Sequence, residues 1–178
     1  MKLVWTARAF LISLAMSFTV NAFAQDSERP VKMKELPEAV RKTVQEQSKG
    51  AILRGLAKET KDGNTYYEAE LKVRGHRKDV LMDPSGAVVE IEEEVALASL
   101  PAEVQATIKK GAGKGKIFLV ESITRNNAVE AYEAHVRTAG KQTEIKVAPN
   151  GQVISVEEDQ DDNDKKIGRA KPQKKKKP

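Results

Sequence analysis

One stretch of this chain is written twice, and that repetition constrains the fold more than any other feature. Asn64 to Glu94, NTYYEAELKVRGHRKDVLMDPSGAVVEIEEE, returns 65 residues later without a gap. Tyr67-Glu68-Ala69 comes back as Tyr132-Glu133-Ala134, and Gly75 as Gly140. Asp83-Pro84-Ser85-Gly86 comes back as Ala148-Pro149-Asn150-Gly151, and Glu92-Glu93 as Glu157-Glu158. Each copy reads as three short antiparallel strands joined by two tight turns. In the first, Tyr67, Ala69, Leu71 and Val73 alternate with Glu68, Glu70, Lys72 and Arg74, so one face is buried and the other wet. Gly75 permits the positive φ of a tight reversal. Aspartate, proline and glycine at Asp83, Pro84 and Gly86 are the favoured chemistry of a type I turn. Val80 and Met82, then Val89 and Ile91, point inward on the two strands that follow Gly75.

A second shared signal precedes each copy. Leu36-Pro37 opens a helix, with proline at a position whose N–H would lack a partner anyway. Leu36, Val40 and Val44 then recur in one apolar stripe. Leu100-Pro101, Val104 and Ile108 repeat that lead-in and stripe, and Lys109 and Lys110 suit the negative end of the helix. Ala51 to Thr60 reads as a strand, and Asp62-Gly63 as the turn that follows it. The loop Gly111 to Gly115 ends a helix and opens a strand, the reverse of a phosphate-binding loop. Ile145 and Val147, then Ile154 and Val156, complete the last two strands. The expected architecture is therefore α+β: two tandem repeats, each one helix packed on a four-stranded antiparallel sheet. The units run over 25–94 and 95–158. Aromatic residues are only 4% of the chain, so the core must be aliphatic and thin.

The flanks read differently. Met1 to Ala24 has a basic start at Lys2 and Arg8, an apolar run from Ala9 to Val20, and Ala22-Phe23-Ala24 as a small-x-small cleavage site, the pattern of a signal peptide. That run is short for a membrane span. The expected location is periplasmic or secreted, with no transmembrane span once the signal is removed. The chain has no cysteine, which rules out disulfides, thiolate metal sites and a lipidated N-terminal cysteine. The net charge of +5 is concentrated in residues 159–178, an acidic-then-basic tail with almost nothing to bury and hence expected to be disordered. Glu157 to Asp164 lacks the glycine and distal glutamate of a calcium loop. Lys165, Lys166, Arg169, Lys171, Lys174, Lys175, Lys176 and Lys177 form a candidate polyanion-binding tail. It carries no aromatic residue to stack on bases, so nucleic acid is not an expected partner.

The order of Leu-Pro-helix, Tyr-x-Ala strand, glycine turn and Asp-Pro-x-Gly turn resembles the PepSY-like family, which includes small exported domains similar to beta-lactamase-inhibitory protein. The resemblance spans Val31 to Glu158, and Ala148 departs from it at the aspartate of the second turn. It implies a helix on an antiparallel sheet in each repeat and a non-catalytic binding or inhibitory role; it carries over no inhibitory residue.

No catalytic constellation stands out, and neither a cofactor nor a metal is called for. There is no Gly-x-Ser-x-Gly elbow and no paired histidine, which counts against a hydrolase. Tyr67 and Tyr132 read as core residues with the hydroxyl at the rim. His76 falls in a turn and His135 on a wet strand face, both as solvated side chains without convergent partners. Glu90 to Glu94 reads as an exposed strand end. Two binding functions remain. The first is an exported protein-binding module, or an inhibitor of a peptidase or other protein, acting through the open sheet face at Glu68, Glu70, Lys72, Arg74, Glu133, His135 and Arg137. The second is a cell-envelope binder in which the basic tail meets anionic polymers or lipids.

Overall fold

The computed structural model describes residues 27–158. The signal segment and the charged tail, 159–178, lie outside them. Nine strands follow one another in a single antiparallel meander: β1 (Ser27–Pro30), β2 (Ile52–Lys61), β3 (Asn64–Val73), β4 (His76–Met82), β5 (Val88–Glu94), β6 (Lys116–Arg125), β7 (Ala128–Thr138), β8 (Lys141–Val147) and β9 (Val153–Glu158). Helix α1 (Glu38–Gln47) precedes β2, and α2 (Ala102–Ala112) precedes β6. No helix among the described residues is long and apolar enough to cross a membrane.

This architecture corrects the expectation of two tandem repeats, each one helix packed on a four-stranded sheet: the nine strands form one sheet. The sheet does not stop at the boundary between 94 and 95: Ile91 pairs with Thr124, Glu92 with Ile123, Glu93 with Ser122 and Glu94 with Glu121. Two separate four-stranded sheets would leave β5 and β6 each with a row of unpaired N–H and C=O groups, and pairing them removes both edges. The described residues are mostly sheet, and the two helices are short covers on it. Ser27–Pro30 adds a further edge strand because its backbone pairs with β2, although all four residues stay exposed.

The apolar alternation sets the covered face. Leu36, Val40 and Val44 pack over Leu56, Ala69, Leu71, Val80 and Met82. Leu100, Val104, Ile108 and Ala112 pack over Val120, Ala134, Val136, Ile145 and Val147. The core is thus two aliphatic patches, one under each helix, with Tyr67 and Tyr132 half-buried at their borders.

Local chemistry builds the hairpins. Asp62-Gly63, Arg74-Gly75, Asn126-Asn127 and Ala139-Gly140 each have positive φ at both residues, the two-residue turn whose twist matches that of paired strands. Asp83 holds its turn through Oδ1, which accepts from the Ser85 and Ala87 amides at 2.8 and 3.1 Å and from the Ser85 hydroxyl. The Ser85 hydroxyl bond, with these amides, keeps the Asp83 carboxyl below its ordinary range despite slight burial. Ala148 cannot do this, and Asn150 compensates by accepting from the Gln152 amide at 3.1 Å.

The turn glycines also let the helices dock. Gly86 has φ +83°, and a Cβ there would lie 2.7 Å from the Ala39 carbonyl oxygen of α1. The Thr43 hydroxyl donates to the Gly86 carbonyl at 2.7 Å, and Thr107 does the same to Gly151 at 2.8 Å. Gly86→Ala is therefore expected to destabilise the protein by about 2–3 kcal/mol, combining left-handed strain with a backbone clash. Denaturant unfolding should show a lower midpoint at unchanged slope; an unaltered midpoint would mean that α1 moves away freely.

Candidate functional site: the open sheet face

The helices cover one side of the sheet, and the register fixes what lines the other. Ala69 opposite Val80 opposite Ile91 runs along the covered side, so Glu70 opposite Asp79 opposite Glu92 lies on the open one. Leu81 stands between Glu68 and Glu90, and Ile123 lies beside Glu92. The same alternation on the later strands places Glu121 opposite Glu133, and Glu133 opposite Lys146. Carboxylates from strands remote in sequence thereby form a belt across the middle of the sheet.

The belt has two centres. In the first, Glu59, Glu68, Asp79, Glu90 and Glu92 line a hollow of about 190 Å³, with Lys61 and Leu81 completing its wall. Asp79 is only 8% exposed, and its Oδ1 has no hydrogen-bond partner among the described residues. Its other oxygen lies 3.6 Å from Arg77. Glu90 is ion-paired with Arg125, which also approaches Glu130 at 3.6 Å. Crowding of like charges away from water raises proton affinity. Burial, reinforced by a hydrogen bond with Glu59, pushes Glu68 up to about 9. Burial and the neighbouring Glu90 push Glu92 up to about 7. Asp79 rises to about 6 because burial outweighs its contact with Arg77.

The second centre surrounds His135. Its Nε2 lies 3.0 Å from Glu121 Oε2 and 3.5 Å from Glu133 Oε1, and its Nδ1 lies 3.3 Å from Glu144. The Glu121 bond raises the histidine's proton affinity against the opposing effect of burial. Lys146 bonds Glu133 at 2.9 Å, and although burial disfavours its charge, that bond and the surrounding acids leave its affinity raised. Phe118 borders the group, 5.9 Å from the His135 ring, with the Arg137 guanidinium 4.7 Å above its centre.

The residues singled out from the sequence separate here. Glu68, Glu70, Glu133, His135 and Arg137 all lie on the open face. Lys72 is exposed on that side near the β3 end. Arg74 is not in the strand: it occupies the turn at φ 52°. The eight basic residues of the tail lie outside the described residues. His76 is exposed, with Glu94 3.8 Å away, whereas His135 is not the solvated side chain its alternation suggests. Glu90 and Glu92 are drawn into the belt rather than left at an exposed strand end. Asp79, Glu121 and Glu59 escaped the sequence reading altogether. Outward alternation was the available signal, but it does not reveal which strands become neighbours.

No family model and no curated protein matches this chain. Solved structures do share its fold. A candidate periplasmic protein from Bacteroides eggerthii aligns with a TM-score of 0.57 at 19% identity, covering 69% of this chain and 88% of that one. A BLIP-like protein from Bacteroides fragilis aligns at 0.53 and 17% identity, over 72% and 90% of the two chains. A DUF2874 family protein from Bacteroides ovatus aligns at 0.54 and 20% identity, over 69% and 87%. The chain is thus similar in fold to a group of small Bacteroides proteins that includes a BLIP-like one. The resemblance to BLIP-like domains has a counterpart among these structures, and the PepSY-like one has no matching family model.

Proposed function

We propose that this chain is an exported, non-catalytic binding module whose open sheet face receives a cationic protein surface. The belt of desolvated carboxylates carries this reading. Its acids outnumber its lysines and arginines, and a partner's Lys or Arg side chain entering the hollow would pair with groups that now repel one another. An inhibitor is the finer form, in which occlusion of a cationic surface on the partner blocks it. The BLIP-like neighbour in fold supports that form, and the candidate periplasmic neighbour supports export. The runner-up, an envelope binder, rests on the basic residues from Lys165 to Lys177.

Fluorescence anisotropy with two labelled probes separates the readings. Decalysine should bind the full chain at low salt and weaken as salt rises. The double substitution Glu59→Gln with Glu92→Gln should cut that affinity about tenfold by removing charge from the hollow. Decaglutamate binding with no decalysine binding would return the function to the tail.

A further inference from the structure

We propose that Glu121, Glu133 and His135 form a binding site for a first-row divalent transition ion, with zinc its natural occupant. The argument begins with spacing. Three donors at about 2.0–2.2 Å from a tetrahedral ion stand about 3.3–3.6 Å apart. Nε2 of His135 already lies 3.0 Å from one carboxylate oxygen and 3.5 Å from the other, and all three donors fall within 4.8 Å of one another. Little movement brings them to coordination distance.

The backbone holds this spacing. Glu121 and Glu133 are directly opposite one another on β6 and β7, and His135 is two residues from Glu133 on the same face. The second nitrogen of the ring is placed as metal sites require. Nδ1 lies 3.3 Å from Glu144, so a proton there is held by a carboxylate while Nε2 turns its lone pair to the ion. Only the imidazolium proton must leave, and it passes to solvent as the ion enters.

A buried polar atom gives an independent reason. Glu121 is 3% exposed, and its Oε1 has no hydrogen-bond partner among the described residues. That oxygen has Arg77 Nε 4.0 Å away, while the other, Oε2, is the one that meets His135. An unmade bond on a charged, buried oxygen costs more than on a neutral one, and a divalent ion held by Oε2 and reaching Oε1 of the same carboxylate would offset it. Lys146 already bonds the other oxygen of Glu133, leaving Oε1 for the ion. Imidazole with two carboxylates suits zinc, whereas calcium and magnesium seek all-oxygen shells.

The test uses the full chain and zinc sulfate, followed by proton NMR of the imidazole rings. The chain has two histidines, so each ring is assigned by its own substitution. Near pH 7, up to one equivalent of zinc should shift the His135 ring signals and leave those of His76 in place. Cobalt should bind at the same position and give the intense visible absorption of a tetrahedral site. Glu121→Gln should weaken zinc at least tenfold, and His76→Ala should leave it unchanged. Movement of both rings alike, of His76 alone, or of neither up to 100 µM zinc would overturn the proposal. So would zinc uptake that survives His135→Ala. The wild-type ring shifts decide the matter even if a variant fails to fold.

Discussion

Val104→Asp is expected to abolish cooperative folding of the entire sheet, not only of the part beneath α2. Val104 is 0% exposed and packs among Ile108, Ala134, Ile145 and Val147 in the second apolar patch. An unpaired carboxylate there costs several kcal/mol, and loss of the valine contacts adds about 1–2 more. A domain of this size has about 5–15 kcal/mol in total, so the native state would lose most or all of its advantage. The damage cannot stay local, because β5 and β6 are hydrogen-bonded along four residue pairs. Ile154→Asp is the matched control: that side chain is 54% exposed on edge strand β9, and the change should stay within about 0.5 kcal/mol. Thermal unfolding followed by circular dichroism distinguishes the outcomes. A Val104→Asp protein that melts in two steps, with the α1 half intact, would refute a single cooperative sheet.

The second large effect is on pH. Asp79, Glu92 and Glu68 bind protons more tightly in the fold than their ordinary values of 3.8, 4.5 and 4.5, at about 6, 7 and 9. Their contribution is therefore full below about pH 4 and is lost as pH climbs through those folded values. His135, also raised, acts in the same direction: its contribution is present below 6.5 and lost above its folded value. Between pH 5 and pH 9 the protein should lose on the order of a few kcal/mol, after allowing for the water that still reaches these groups. Melting temperature should accordingly fall across that range. Glu92→Gln removes one of the charges the fold resists, so it should raise the melting temperature at pH 8 and leave it nearly unchanged at pH 5. A melting temperature that rises from pH 5 to pH 9 would show that the belt is solvated.

What the sequence determines on its own is local. Period-two alternation marks the strands, because a side chain's face follows directly from the pleat. Positive-φ turn residues such as Gly63, Gly75 and Gly140 mark the reversals, and the stripes at Val40 and Val44 and at Val104 and Ile108 mark the helix faces. Each of these depends on residues a few positions apart. Tertiary structure decides which edges meet. Once β5 pairs with β6, Glu92 sits beside Ile123 and Glu94 beside Glu121, and a face that alternation presents as mixed in charge becomes an acidic belt. His135 changes in the same way, from a wet position on β7 to the centre of three carboxylates drawn from β6, β7 and β8. Arg74 moves the other way, off the face and into a turn, because the register closes at Val73 and His76. Strand pairing is a backbone interaction indifferent to the side chains it brings together, so the charges that meet across it cannot be read from either strand alone.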